Sequence, residues 1–169
     1  EQDFTLNINT ENARPVVAVN NGNLLGLLGG NVAGLIDLNQ QRFIVGDAND
    51  DLKKVEVAFF TGAGLSLGGG TWTYSEALKY QFGYNVQVST TGLPFFGQTV
   101  TATITAIDGS VLDNQEITEF LGTLRTTQSF LNLTVGSSLT VTATDAVGNE
   151  TLAIVSELLN LSLLGGLLG

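Results

Sequence analysis

The feature that most constrains the fold is an alternation of apolar and polar residues with a period of two. Phe4–Asn9 places Phe, Leu and Ile on one face and polar side chains on the other, as a half-buried strand does. Strands separated by Gly, Asn and Asp turns predict an all-β fold, an antiparallel β-sandwich. The other segments with strand character are Val16–Val19, Arg42–Val45, Lys54–Phe60, Thr71–Tyr74, Asn85–Thr90, Thr99–Ile107, Leu121–Thr126, Phe130–Val135, Leu139–Thr144 and Thr151–Val155.

Two segments break this rhythm and favour short helices that cross between sheets. Ser75–Phe82 begins with a residue that can cap a helix and is followed by Gly83, which can adopt the left-handed stop conformation. Asp113–Phe120 has the same character, with Asp113 or Asn114 as the cap. Strand is the competing interpretation of both segments.

The length of 169 residues suits one domain or two small ones. We interpret residues 1–158 as a single elongated sandwich module, with two lobes divided near residues 91–98 as the alternative. The Leu- and Gly-rich motif of Leu24–Gly30, here called the Leu-Gly motif, recurs in Leu163–Gly169, and such recurrence is typical of tandem repeats. We therefore predict that residues 159–169 are the start of a linker or of a next repeat. The alternative is that the similarity is a coincidence of low-complexity Leu-Gly sequence.

The charge of the chain limits its partners. Six Lys and Arg against 16 Asp and Glu give a formal net charge of −10. Nucleic acid is excluded as a partner because phosphate binding needs clustered cations. No apolar run reaches the roughly 18 residues of a membrane span, so we expect no membrane insertion. Cations suit this surface, although the acidity also serves solubility.

The chain contains no Cys, His or Met. Disulfides, thiolate or imidazole metal sites and Ser-His or Cys-His catalysis are therefore impossible. Carboxylate catalysis remains chemically available, but no convergent pair of Asp or Glu stands out. We expect a protein that is not an enzyme and has no catalytic or organic-cofactor residues.

The densest acidic cluster, Gly46–Asp51, lies between two predicted strands. Calcium prefers six to eight hard oxygen ligands, and Asp47, Asn49, Asp50 and Asp51 offer several from one turn. The loop does not match the 12-residue EF-hand pattern. A plain solvated turn explains the same residues, since Asp and Asn favour turns.

A second candidate metal ligand is Asp145. It ends a predicted strand and precedes the turn at Gly148-Asn149, with Glu150 nearby. The alternative is that Asp145 only accepts hydrogen bonds from the turn backbone.

Several short segments of the sequence resemble repeats of the large bacterial biofilm-associated protein (Bap-like) family of adhesins. Their combined order is more specific than any one of them, and they span most of residues 16–160. The segments are Asn31–Leu38, Gly64–Leu78, Ile104–Gly109, Asn114–Thr123 and Val141–Asn149.

The resemblance implies an immunoglobulin- or cadherin-like repeat of a secreted surface protein, exported by type I secretion. Such a module acts in biofilm formation and cell adhesion, and its partners are neighbouring repeats, other cells, surfaces or matrix components. The resemblance also implies calcium at Asp47, Asn49, Asp50 and Asp51, and an inter-module ligand at Asp145. The chain departs from the family in lacking a full cadherin "DxNDN" linker and in exceeding the usual length of about 100 residues.

A different function remains open, a module that binds carbohydrate or a host protein. It would use Trp72, Tyr74 or Tyr84 on an exposed face. The competing interpretation of Trp72 is a core residue.

Overall fold

A computed structural model describes residues 12–20, 42–67, 71–93, 96–126, 131–136, 138–156 and 159–163. Three segments from the sequence analysis lie outside these residues. They are the predicted strand Phe4–Asn9, the segment Asn31–Leu38 and both copies of the Leu-Gly motif, apart from Leu163 itself. The elements of the described residues are β1 (Val16–Asn20), β2 (Arg42–Gly46), β3 (Leu52–Phe60), β4 (Ala63–Leu67), β5 (Trp72–Thr73), α1 (Glu76–Gln81), β6 (Tyr84–Leu93), β7 (Gly97–Ala106), α2 (Asn114–Leu121), β8 (Arg125–Thr126), β9 (Leu131–Val135), β10 (Ser138–Asp145), β11 (Glu150–Ser156) and β12 (Leu159–Leu163).

The largest unit is a five-stranded antiparallel sheet in the order β11-β10-β3-β7-β6. Its inner face follows the period of two, because alternate residues of β10 are buried from Leu139 through Val141 and Ala143. Ile104 of β7 and Val57 of β3 are fully buried on the same face. The structure thus confirms the all-β prediction, and within the described residues three smaller antiparallel sheets pair β1 with β2, β5 with β8, and β9 with β4 and β12.

The same core also contains buried residues of β2 and α2 and the indole of Trp72. Phe43 and Val45 of β2 are buried, and Ile117 and Phe120 of α2 are completely buried. The Trp72 Nε1–H donates to the carbonyl oxygen of Val100 at 2.8 Å, which satisfies the indole inside the core. Antiparallel sheets that share one core are consistent with an all-β sandwich.

Both predicted helices are present. The Ser75 hydroxyl accepts from the Leu78 N–H at 3.3 Å at the start of α1, and Gly83 has a φ of +66° after its end. The Asp113 carboxylate caps α2 by accepting from the N–H groups of residues 115 and 116. Neither helix of the described region is long and apolar enough to cross a membrane.

The predicted strand Leu121–Thr126 is largely wrong. Helix α2 continues to Leu121, Gly122 caps it, and only Arg125 and Thr126 pair as a strand, with β5. The apolar residues Phe120, Leu121 and Leu124 are spaced as on the face of a helical turn, and all three are buried. Burial of that face decides the conformation over the strand propensity of the Thr residues.

A division into lobes was considered near residues 91–98, and the described residues on either side, 91–93 and 97–98, belong to the paired strands of the β6–β7 hairpin. The two strands pair in register from Tyr84 opposite Ala106 to Leu93 opposite Gly97.

Two isoleucines offer a matched test of the packing of α2. Ile117 has no exposed surface, whereas Ile107 is 66% exposed. Ile117→Ala is expected to lower the free energy of unfolding by about 2 to 5 kcal/mol through lost burial and a residual cavity. Ile107→Ala is expected to change it by less than about 0.5 kcal/mol. Urea titration of both variants measures the difference, and equal losses would contradict this packing.

Candidate metal centre

The loop between β2 and β3 brings two carboxylates to the end of the core. Asp47 continues the buried row of Phe43 and Val45 and is only 4% exposed. Its Oδ1 accepts from the Asn49 N–H at 2.7 Å, which tightens the turn. The turn continues through Asp50, which has a φ of +54°, and places Asp51 immediately before β3.

The third carboxylate comes from the end of β10. Asp145 continues the inward row of Leu139, Val141 and Ala143, and it is 2% exposed. It pairs with Leu52 across a register shift, next to Asp51. The two strands are neighbours in the sheet, so their paired ends place the two Asp residues together.

The turn after β10 holds the Asp145 carboxylate firmly. Its Oδ1 accepts from the N–H groups of Val147 at 3.0 Å and Asn149 at 2.8 Å, and its Oδ2 accepts from the Asn149 side chain at 2.8 Å. The predicted hydrogen bonding to the turn backbone is therefore present, and it coexists with the approach to the other two carboxylates.

Asp47, Asp51 and Asp145 form one cluster, in which each residue contributes a carboxylate oxygen and these oxygens lie within 4.8 Å of one another. Asp47 Oδ2 and Asp51 Oδ1 are buried and have no hydrogen-bond partner among the described residues. Asn12 lies alongside, because its Nδ2 donates to Asp51 Oδ2 at 2.8 Å, and its own Oδ1 is also buried without a partner. A buried oxygen that accepts no hydrogen bond and contacts no cation lowers the stability of the folded state, because it has lost its bonds to water.

The charges of the cluster act on its protonation. Burial is the main cause that raises the pKa of Asp47 above its ordinary value, and the charges of Asp51 and Asp145 raise it further. Burial also acts to raise the pKa of Asp145, but the hydrogen bonds from Asn149 and Val147 outweigh it and hold that pKa below its ordinary value. No ion pair to Lys or Arg relieves these carboxylates within the described ranges. The remaining ways to neutralise the cluster are a proton or a cation.

The two other candidate ligands of this loop have different partners. Asn49 Oδ1 accepts from the backbone N–H of Ala13 at 2.8 Å, and Asp50 Oδ1 accepts from Asn114 Nδ2 at 2.7 Å. Asp50 is not part of the three-Asp cluster. The two side chains fasten the loop to the segment before β1 and to α2. Glu150 is likewise outside the cluster, where it is exposed and accepts from the Thr144 hydroxyl.

Asn114 is a support that the sequence analysis treated only as a helix cap. Its Oδ1 accepts from the Asp47 N–H at 2.8 Å, and its Nδ2 donates to the Asp47 carbonyl at 2.9 Å. The side chain therefore holds the backbone of Asp47 on both sides. Because α2 is anchored in the core by Ile117 and Phe120, the position of Asp47 is tied to the core.

Asn12 was not among the predicted site residues. It lies far along the chain from the three Asp residues of the cluster, and its nearest acidic neighbour is Glu11. No local signal distinguishes it from other Asn residues, and only the tertiary fold places it beside Asp51.

The donor set is suited to a hard cation. Three carboxylates and one amide oxygen are the ligand types that calcium and magnesium prefer, and the cluster contains no nitrogen or sulfur donor. The residues present therefore fit a divalent cation held by oxygen. The cluster could hold a metal ion.

Comparisons of the chain with protein-family models, with curated proteins and with solved structures give no match. The resemblance to biofilm-associated adhesin repeats therefore stays a prediction. The arguments for function are the fold and the three-Asp cluster.

The raised pKa of Asp47 predicts how the metal-free protein responds to pH. The folded state binds this proton more tightly than the unfolded chain, so the contribution of Asp47 to the free energy of unfolding falls as pH rises above its ordinary pKa of 3.8. Asp47→Asn keeps the shape without the charge. Its stability relative to the original protein is therefore expected to increase with pH, when both are measured in a chelator by thermal unfolding.

Asp108→Asn is the control for this pH series. Hydrogen bonds from Ser110 lower the pKa of Asp108, so its ionised form favours the folded state. The Asn variant should therefore lose stability relative to the original protein as pH rises, the opposite sign. Parallel pH curves for the two variants would contradict the assignment of a repelled carboxylate at Asp47.

Proposed function

We propose that this chain is a calcium-stabilised structural and adhesive module of a secreted bacterial surface adhesin. The single observation that carries the metal part is the cluster of Asp47, Asp51 and Asp145 with its buried, unpartnered oxygens. The adhesive and secreted part rests on the resemblance described above together with the antiparallel all-β fold.

Calcium suits the spacing of the cluster. Two oxygens on opposite sides of a calcium ion, at its usual bond length of about 2.3 to 2.6 Å, are about 4.6 to 5.2 Å apart. Oxygens that all lie within 4.8 Å of one another can therefore share one ion without a large rearrangement. Asn12 Oδ1 and solvent would complete the six to eight ligands that calcium takes.

The bound ion would act as a mechanical joint. Asn12 precedes β1, Asp47 and Asp51 flank the turn between β2 and β3, and Asp145 ends β10. One cation at this point would connect three separate chain segments, two of which carry carboxylates that otherwise repel each other. In a module of a surface protein, that joint would resist separation of the first strands from the sheet, in addition to the hydrogen bonds between strands.

A ligand-binding module is less favoured. Trp72 is 5% exposed and Tyr84 is 2% exposed, so neither offers a face on which a sugar could stack. Tyr74 packs against Phe120 with their ring centroids 5.8 Å apart. The three aromatic residues considered for this function serve the core instead.

A calcium titration tests the proposal. With free calcium about 100 times the dissociation constant, one site stabilises the folded state by about 2.7 kcal/mol, which for a chain of this size raises Tm by about 5 to 10 °C. Asp47→Asn and Asp51→Asn are expected to remove most of this rise, since each deletes a charged ligand. Calorimetry with calcium, magnesium and a chelator measures it.

Asp108→Asn is the matched control, because it removes one carboxylate that is exposed and outside the cluster. It should keep the full calcium response. If Tm of the original chain does not change with calcium, or if Asp108→Asn loses the response to the same extent as Asp47→Asn, the proposed site is wrong.

A further inference from the structure

The strand β6 is an unprotected edge of the large sheet. In the part of the chain that the structure describes, β6 is hydrogen-bonded to β7 on one side only. Every residue from Gln87 to Leu93 is exposed, although successive side chains point to opposite faces. Both faces and the outer edge of this half of the hairpin are therefore open to solvent.

The hydrogen-bond pattern shows which backbone groups point outward. The Ile107 N–H donates to the Gly83 carbonyl at 2.9 Å, so the pair at this end of the hairpin is a hydrogen-bonded one. At the other end, the Gln98 backbone bonds to Thr61 rather than to β6. Because pairs alternate along antiparallel strands, the N–H and C=O groups of Val86, Val88 and Thr90 point away from β7.

This edge lacks the usual protection against pairing. Natural sheets discourage edge contacts with charged side chains, Pro or bulges. The whole run from Phe82 to Ile107 contains no charged side chain, and β6 itself contains no Pro. Its register with β7 is continuous. In a chain with a net charge of −10, this hairpin is a surface where two copies can meet without bringing carboxylates together.

Exposed apolar side chains lie at both ends of β6, and they would meet if two copies of the strand paired antiparallel. Tyr80, just before the strand, is 71% exposed, and Leu93 and Phe96, at its far end, are 65% and 78% exposed. If two β6 strands pair antiparallel, the tip of each hairpin approaches the α1 end of the other. The exposed apolar groups of the tip then lie toward the exposed aromatic ring of the partner copy.

We propose that β6 is a self-association edge, which pairs antiparallel with β6 of a second copy of this chain. The two five-stranded sheets would join into one continuous sheet across the interface, with Val86, Val88 and Thr90 supplying the new backbone hydrogen bonds. The interaction goes beyond the proposed metal-stabilised module and does not require the metal, because the three-Asp cluster lies in other loops.

The test is the solution mass of the whole 169-residue chain, measured by sedimentation from micromolar to millimolar concentration. The mass is expected to rise from 17.7 kDa toward twice that value. Val88→Lys places two like charges at the new interface, and Thr90→Pro removes an outward N–H without removing a bond to β7. Both variants are expected to stay at the monomer mass while keeping the circular dichroism spectrum of the original chain.

Leu152→Lys is the matched control, on the opposite edge strand β11, where Leu152 is 55% exposed. It should dimerise as the original chain does, and so should Asp47→Asn in a chelator. A monomeric original chain at all concentrations overturns the proposal. So does dimerisation of folded Val88→Lys and Thr90→Pro to the original extent, or loss of the dimer in Leu152→Lys.

Discussion

The mutual repulsion of three carboxylates, two buried and one half-buried, is the constraint on which the end of this sandwich depends. Asp47 and Asp145 each occupy the next inward position of a row of core residues, so they cannot turn to solvent without breaking the period of their strands. Asp51 is fixed beside them because it immediately precedes β3, the neighbour of β10. Strand pairing thus brings like charges together, and a proton or a cation would relieve their repulsion.

The surrounding contacts keep this arrangement rigid rather than letting it relax. Asn114 holds the Asp47 backbone from α2, and the turn after β10 holds both oxygens of Asp145. These contacts fix the carboxylates in position before any ion arrives. Pre-organisation of this kind lowers the ordering cost of binding, because the ligands need not be collected from mobile loops.

Much of the fold could be predicted from alternation and caps, since both are local. Ser75 and Asp113 cap the helices as expected, and β3, β7 and β10 follow the period of two. The end of α2 could not be predicted, because burial of Leu121 and Leu124 against the core decides it. Strands β4 and β12 were missed for different reasons: Gly64 and Ser66 weaken the local signal of β4, whereas β12 alternates as Leu-Asn-Leu-Ser-Leu but was assigned to a linker because it adjoins the Leu-Gly motif.

The candidate site was predictable in part for the same reason. The acidic loop and Asp145 stand out in the sequence, and an Asp that continues an apolar row is a signal of a buried charge. Which members of the loop face inward depends on its turn, where Asn49 and Asp50 point to other partners. The contribution of Asn12 depends wholly on tertiary structure. The most direct measurement is anomalous diffraction from crystals grown with calcium. A single calcium peak bonded to Asp47, Asp51 and Asp145, with Asn12 Oδ1 in its coordination sphere, is the result expected here. Crystals at saturating calcium with no peak among these three residues, or with the ion held by Asn49 and Asp50 instead, would contradict it.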